Sequence, residues 1–317
     1  EASLREHASG LLVTLKAQDE GALSSLKGLF ASQLVALSQD KPTIVWTGDG
    51  TDACVFPNFR EMTVRKIIDV TPHMRRITLA GHDLARFAIG GMHLQLLIPP
   101  DGLEKPEWPT PGPDGLPIWP SKEKRPRIRT YTVRRVDLAA STFDVDFVVH
   151  GDHGGSVGSR WAADAKPGAI IGVRGPVGRA APDADWVLLA GDETALPVIS
   201  RILETLPAST RGVALIEVED AGEEQRLDYA ANIELHWLHR GKAEPGQSNV
   251  LVDAVRSIRP PAGAGKIYAM AGTEYTAARA IRAYWRDELK LDRKAMSAAA
   301  YWRLGRAEDA PPVAEPD

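Results

Sequence analysis

The rhythm of apolar residues changes once along this chain, near Asp185, and that change constrains the fold more than any other feature. Upstream, residues 63–68, 74–79, 93–98, 129–136, 142–150 and 168–174 are short strand-like runs separated by turn residues, the pattern of an antiparallel barrel. Downstream, strands predicted at 186–190, 213–218, 234–238 and 266–271 alternate with helical spacing at 196–206, 250–258 and 276–289. Such alternation is how a doubly wound parallel sheet reads. The expected fold is therefore an antiparallel β-barrel over residues 60–181 followed by an α/β domain over 182–317. Residues 1–59 read as a small accessory extension of β-α-β type, from a strand at 11–15, a helix at 23–37 and a β-branched run at 43–47. Residues 99–126 are crowded with prolines and predict a long surface excursion, and 160–165 predict a short helix. The Pro/Ala/Glu-rich stretch after Arg306 is expected to be loose.

With 317 residues the chain can bury two cores, and a formal net charge of -4 gives it no general attraction to polyanions. Nucleic acid is not expected as its ligand. The single cysteine, Cys54, excludes an internal disulfide and a Cys-ligated iron–sulfur cluster. No apolar run approaches the length that crosses a bilayer, so a cytoplasmic protein, not inserted in a membrane and monomeric, is the expectation.

Three segments carry chemistry. In Arg129-Thr130-Tyr131-Thr132-Val133-Arg134, strand alternation sends Arg129, Tyr131 and Val133 to one face and Thr130, Thr132 and Arg134 to the other. A guanidinium, a flat ring and hydroxyls this close suit an anionic cofactor with a planar ring system, although an ordinary amphipathic strand has the same pattern. The segment from His150 to Trp161 is rich in glycine and leads into a helix, so it reads either as a tight turn or as a phosphate cradle of backbone N–H groups. His150 and His153 have no Cys or carboxylate at ligand spacing, and no metal site is expected. In Ala190-Gly191-Asp192-Glu193-Thr194-Ala195-Leu196-Pro197 a strand runs through glycine into a helix, the place where open α/β sheets hold ligands; Asp192 or Thr194 can equally be a helix cap.

Together with the terminal Tyr301-Trp302-Arg303-Leu304-Gly305-Arg306, these motifs resemble the siderophore-interacting proteins, ferric-siderophore reductases of the ferredoxin-reductase-like superfamily. The resemblance covers roughly residues 60–309. It implies that the barrel binds FAD and the α/β domain binds NADPH or NADH, with a ferric siderophore as substrate. Arg129 would contact the FAD pyrophosphate, Tyr131 would stack on the isoalloxazine, and Thr130 and Thr132 would lie along its edge. Val148, His150, Gly151, Gly155, Ser156, Val157 and Ser159 would hold the rest of the flavin. Asp192, Glu193 and Thr194, with Gly272 and Glu274 at another strand end, would sit where nicotinamide meets flavin. Trp302 reads as an active-site group or as a half-buried core aromatic. Tyr131, Thr132, Thr194 and Trp302 are the residues expected nearest the reacting atoms.

Arg240, Lys294, Arg303 and Arg306 are the candidates for a basic patch that receives the anionic chelate. The chain departs from the family in having Gln95 where many members carry a lysine, and in lacking the proline usual before Ser156. The motifs leave the acceptor open: a flavin reductase, an electron-transfer flavoprotein serving another acceptor such as ferredoxin, and a siderophore-binding protein without turnover all remain compatible. The nucleotide is open too. Glu217, Glu219 and Asp220 after the second strand would repel a 2′-phosphate and favour NADH, whereas the resemblance leans to NADPH, with Arg226 or Arg240 as its pocket. Because every cofactor motif lies downstream, a chain beginning near Pro57 is expected to keep flavin reduction.

Overall fold

The computed structural model describes residues 1–7, 10–40, 42–103, 105–149, 156–180 and 182–306. His150, Gly151 and Gly155, expected at the flavin, lie outside the described residues.

Seven antiparallel strands hydrogen-bond in the spatial order Arg127–Thr132, His93–Ile98, Ile170–Val177, Phe59–Thr71, Met74–Ala80, Thr142–Val148, Arg135–Asp137. The two outermost strands are consecutive in the chain, with only Val133 and Arg134 between them, so the sheet must curl until its edges meet. At that seam Val133 N–H donates to the Met92 carbonyl at 2.9 Å and Arg134 N–H to the Asp144 carbonyl at 2.8 Å. The single run expected over 129–136 is thus two strands belonging to opposite edges. Leu94, Leu96, Phe143, Phe147, Ile171 and Val173 fill the interior, and the helix Val157–Asp164 packs Val157, Trp161 and Ala162 against it. A one-turn helix, Ala85–Ala88, interrupts the strands where periodicity predicts none; Phe87, fully buried, pins it to the same core.

The second domain is a five-stranded parallel sheet in the order Asn232–His239, Arg211–Val218, Trp186–Gly191, Ile267–Glu274, Met296–Trp302. Both faces are covered. Val187 and Leu189 pack with the helix Leu196–Thr205, and Leu188 and Ala190 pack with the helices Val250–Ser257 and Tyr275–Asp287. A strand buried on both faces has no polar alternation, which is why 186–190 reads as one apolar run.

The accessory extension is corrected. Its strands are Ala2–His7 and Gly10–Leu15, an antiparallel hairpin followed by the helix Glu20–Leu37, and residues 43–47 form no strand. The hairpin satisfies its backbone locally, leaving the β-branched run with no ladder to join. Trp46 instead donates its indole N–H to the Asp114 carbonyl at 2.9 Å, fastening the proline-rich excursion to the helix. Gly115, at φ +84°, permits this approach: a Cβ there would lie 2.8 Å from Trp46 Nε1. Phe56 enters a cluster with Phe59, Leu97, Trp108 and Ile128 on the outer face of the barrel. A cut at Pro57 would remove Phe56 from that cluster, at a cost of roughly 3 kcal/mol by analogy with core Phe→Ala changes. A chain starting at Ala53 is the cleaner test, and it is expected to keep flavin binding and reduction; loss of FAD in a folded truncate of this kind would assign the extension a part in the flavin site.

Candidate active site

The barrel and the sheet meet along a seam of directed bonds. Arg201, on the helix Leu196–Thr205, donates to three barrel carbonyls, Phe87 at 2.9 Å, Val133 at 3.1 Å and Met92 at 3.3 Å. Arg134 pairs with Glu204 at 2.7 Å. The turn between the strands Phe59–Thr71 and Met74–Ala80 is held by Glu223, in the turn after the strand Arg211–Val218, which accepts from Thr71 Oγ1 at 2.5 Å and from His73 N–H at 2.9 Å. These bonds dock the barrel on the helix Leu196–Thr205 and on the turn that follows the strand Arg211–Val218.

On the barrel side, register places residues of three adjacent strands in rows. Thr130, Gln95 and Arg174 stand side by side, as do Thr132 and His93 in the neighbouring row. Arg129 and Thr132 are buried, Thr130 is exposed, and Tyr131 is half-buried. Tyr131 leans on Phe147, ring centroids 4.4 Å apart, and Phe147 on Trp161 at 5.6 Å. Gly158, in the first turn of the helix Val157–Asp164, is what admits the tyrosine: a Cβ there would lie 2.0 Å from its hydroxyl. Ser156 caps this helix, its side chain accepting from Ser159 N–H at 3.3 Å. Ser159 is buried in that turn, Val157 faces the barrel core, and Val148 packs against the core of the second domain. A guanidinium, two hydroxyls, a ring and a helix start within this short span form a donor set that fits a dinucleotide with a flat ring system.

On the sheet side, Asp192 is a hub. Its Oδ1 accepts from the N–H and hydroxyl of Thr194, and its Oδ2 from Trp302 Nε1 at 2.8 Å and Thr273 Oγ1 at 3.0 Å. A carboxylate with both oxygens so occupied orients Thr194 and Trp302 rather than presenting itself to a ligand. Trp302 is half-buried, packed against Gly246, whose Cβ would lie 2.8 Å from the indole ring. Glu274 is likewise committed: it caps the helix Tyr275–Asp287 through Thr276 N–H and accepts from Leu304 N–H at 3.2 Å. Gly272 gives Tyr301 room, since a Cβ there would lie 2.7 Å from its ring. Tyr301 reaches His93 Nε2 at 2.9 Å, a bond that joins the two domains. Burial, and secondarily Arg201, lowers the His93 pKa, while burial raises that of Tyr301. Both shifts favour a neutral imidazole and a neutral phenol sharing this hydrogen bond.

The expected basic patch is redrawn. Arg240 is buried in an ion pair with Glu193 and presents no surface cation. Lys294 precedes the strand Met296–Trp302 and borders Lys266, Ile267 and Tyr268, so it lies at the amino end of the sheet, away from the candidate site. Arg303 stacks over Tyr275 at 4.2 Å at the carboxyl end, and Arg306 lies close by, its N–H donating to the Arg303 carbonyl at 3.1 Å. Sequence reasoning missed Arg174, whose pKa is lowered by burial and which has no carboxylate neighbour among the described residues. It stands beside Gln95, so a cation is supplied one strand away from the position where many family members carry lysine. A charged residue inside a predicted barrel strand is the signal that could have found it.

The carboxylates after the second strand are also engaged elsewhere. Glu219 pairs with His73 Nδ1 at 3.0 Å, Asp220 caps the turn at Gly222, and Glu217 is buried. Glu219 and Asp220 keep their negative charge in these bonds, so the local repulsion of a 2′-phosphate stands. Arg226 is exposed beside Asp228. Burial pushes the Glu217 carboxyl up to about 7, with Asp192 and Glu193 adding to the rise and Arg240 opposing it. A carboxyl raised in the folded state costs stability as it ionises, so stability falls as pH climbs from about 4.5 through 7. Glu217→Gln should match the wild type at pH 5 and exceed it at pH 8 by on the order of 2 kcal/mol after solvent screening, measured by urea unfolding.

An antiparallel barrel carrying this donor set, docked on the carboxyl ends of a parallel sheet, defines a two-domain flavin- and nicotinamide-linked oxidoreductase of the ferredoxin-reductase type. The fold alone is shared with the cytochrome b5 reductase domain of Ulva prolifera nitrate reductase, at 12% identity and TM-score 0.54 over 79% of this chain and 99% of that one. Residues 63–180 match the siderophore-interacting FAD-binding domain and residues 184–305 the siderophore-interacting protein domain, and the chain belongs to the siderophore-interacting protein family. It is 33% identical to the ferric vibriobactin reductase ViuB of Vibrio cholerae over 264 residues, 81% of this chain and 93% of that protein. It is 32% identical to the NADPH-dependent ferric-chelate reductase of Escherichia coli over 57% of this chain and 71% of that one. The siderophore-interacting protein SipS of Aeromonas hydrophila has 33% identity and TM-score 0.67, covering 79% of this chain and 94% of its own. No helix among the described residues is long and apolar enough to cross a membrane.

Proposed function

We propose that this FAD-dependent oxidoreductase takes electrons from NADPH or NADH and reduces Fe(III) held by a siderophore, releasing Fe(II). The observation that supports the reading is the meeting of the Thr132–His93 row with Tyr301 and the Asp192 hub, where a flavin edge on the barrel would face a nucleotide at the strand end. The names of the relatives support the acceptor. FAD, when bound, accepts a hydride's two electrons and passes them on singly. Arg129 and the helix start after Ser156 would hold its phosphates, and Tyr131 and Thr132 its ring system. Asp192 orients Thr194 and Trp302 at the nucleotide side, and the neutral His93–Tyr301 bond holds the two domains in register. Catecholate and hydroxamate oxygens hold Fe(III) far better than Fe(II), so electron transfer itself releases the metal and no side chain need act as nucleophile or general base.

Arg174 and Arg303 would receive the anionic chelate, with Arg306 beside them. Replacing both Arg174 and Arg303 with Ala should weaken reduction of anionic ferric chelates at least tenfold and flatten its salt dependence, while a neutral quinone acceptor is reduced as before. Anaerobic stopped-flow with a panel of ferric siderophores tests the proposal, and oxidation of reduced protein by none of them would overturn it. We also propose a cytoplasmic monomer; light scattering on the FAD-loaded protein checks the mass.

A further inference from the structure

A cavity of about 370 Å³ lies between the helix Glu20–Leu37, the segment 44–57 and the proline-rich excursion at 111–115. Its walls are largely apolar and flat, including Trp46, Phe56 and three prolines. Within this lining stands Lys27, only 8% exposed. Its ammonium donates to the Asp49 carbonyl at 2.6 Å and lies 5.7 Å from the Trp46 ring centroid. It has no carboxylate partner among the described residues. Glu20, also part of the lining, is exposed at the rim. An ammonium has three N–H donors, and one carbonyl satisfies one of them. Burying such a charge without a counter-ion is costly, and a bound anion relieves that cost.

We infer that this cavity binds a small aromatic carboxylate, its ring laid against Trp46 and Phe56 and its carboxylate on Lys27. One carboxylate group matches the single buried cation, and flat apolar walls favour a ring over a branched chain. Phosphates fit less well, because one ammonium cannot balance a dianion beside Glu20. No residue proposed to hold flavin or nucleotide lines the cavity, and its wall residue Phe56 lies against Arg174, 5.9 Å from ring centroid to guanidinium carbon.

Isothermal titration of the FAD-loaded full chain with 2-naphthoate, and with 2-naphthamide as its uncharged counterpart, tests the inference. Saturable binding of the carboxylate is expected, at least tenfold tighter than the amide. Lys27→Met should weaken it at least tenfold and Lys27→Arg should restore most of the loss. Ser24→Phe, which fills the cavity while leaving the lysine, should abolish binding even where Lys27→Met loosens the extension. NADPH-driven bleaching of the flavin should be unchanged in all three variants, which separates this site from the reductase reading. No saturable heat up to millimolar naphthoate, equal binding of the amide, or undiminished binding by Ser24→Phe would each overturn it.

Discussion

Tyr131→Ala and Arg129→Ala are each expected to purify with clearly less than one FAD per chain. Arg129 is 4% exposed in a strand that otherwise feeds an apolar barrel. A buried guanidinium facing a pyrophosphate forms charge-assisted bonds worth on the order of 1.5–3 kcal/mol, roughly a tenfold to hundredfold loss of affinity on truncation. Tyr131 is held over Gly158 and against Phe147, so its ring is oriented before any ligand arrives. Removing it deletes both a stacking surface and one wall beside the helix start. Visible absorbance against protein concentration reads the occupancy. Stoichiometric flavin with normal spectra in both variants would move the flavin off this strand.

Arg201→Ala should be the most destabilising single change at the domain seam. The guanidinium serves three carbonyls, two of them at the point where the barrel closes, and of these the Met92 carbonyl keeps the Val133 N–H when Arg201 is removed. Leaving buried acceptors unsatisfied costs about 1–3 kcal/mol each, and a total of about 3 kcal/mol lowers the melting temperature by roughly 6–10 °C. Because the lost bonds are between domains, calorimetry should resolve two transitions where the wild type gives one. An unchanged melting profile would mean that Glu223 and the His93–Tyr301 bond suffice to couple the domains.

Much of the architecture is legible in the sequence because burial leaves a periodic record. Residues 186–190 read as one apolar run since both faces of that strand are covered, and the prolines of 99–126 forbid a helix without any knowledge of the fold. The corrections share a different cause. Lys294 groups with Arg303 by closeness in sequence, yet a parallel strand carries the residues before it at one end of the sheet and the residues after it at the other. Asp192, Glu193 and Arg240 read as ligand contacts because they sit at strand ends; only geometry reveals that their polar atoms are spent on Thr194, Trp302 and one another. Residues 43–47 have strand composition, but a strand also needs a free edge, which composition does not encode. Arg174 escapes a linear reading because cross-strand neighbours such as Gln95 are far away in sequence.

The indole bond from Trp46 to the excursion bears on how long the protein survives among proteases. Residues 99–126 offer trypsin two sites not followed by proline, Lys122 and Lys124. Cleavage there requires the segment to detach from its support, and the fraction of time it is detached sets the rate when reclosing is fast. The extension thus acts as a guard for a loop that belongs to another domain. Trp46→Ala should be nicked in this loop at least several-fold faster than the wild type while the rest of the chain resists, so that the first fragments seen by mass spectrometry end at Lys122 or Lys124 or begin just after them.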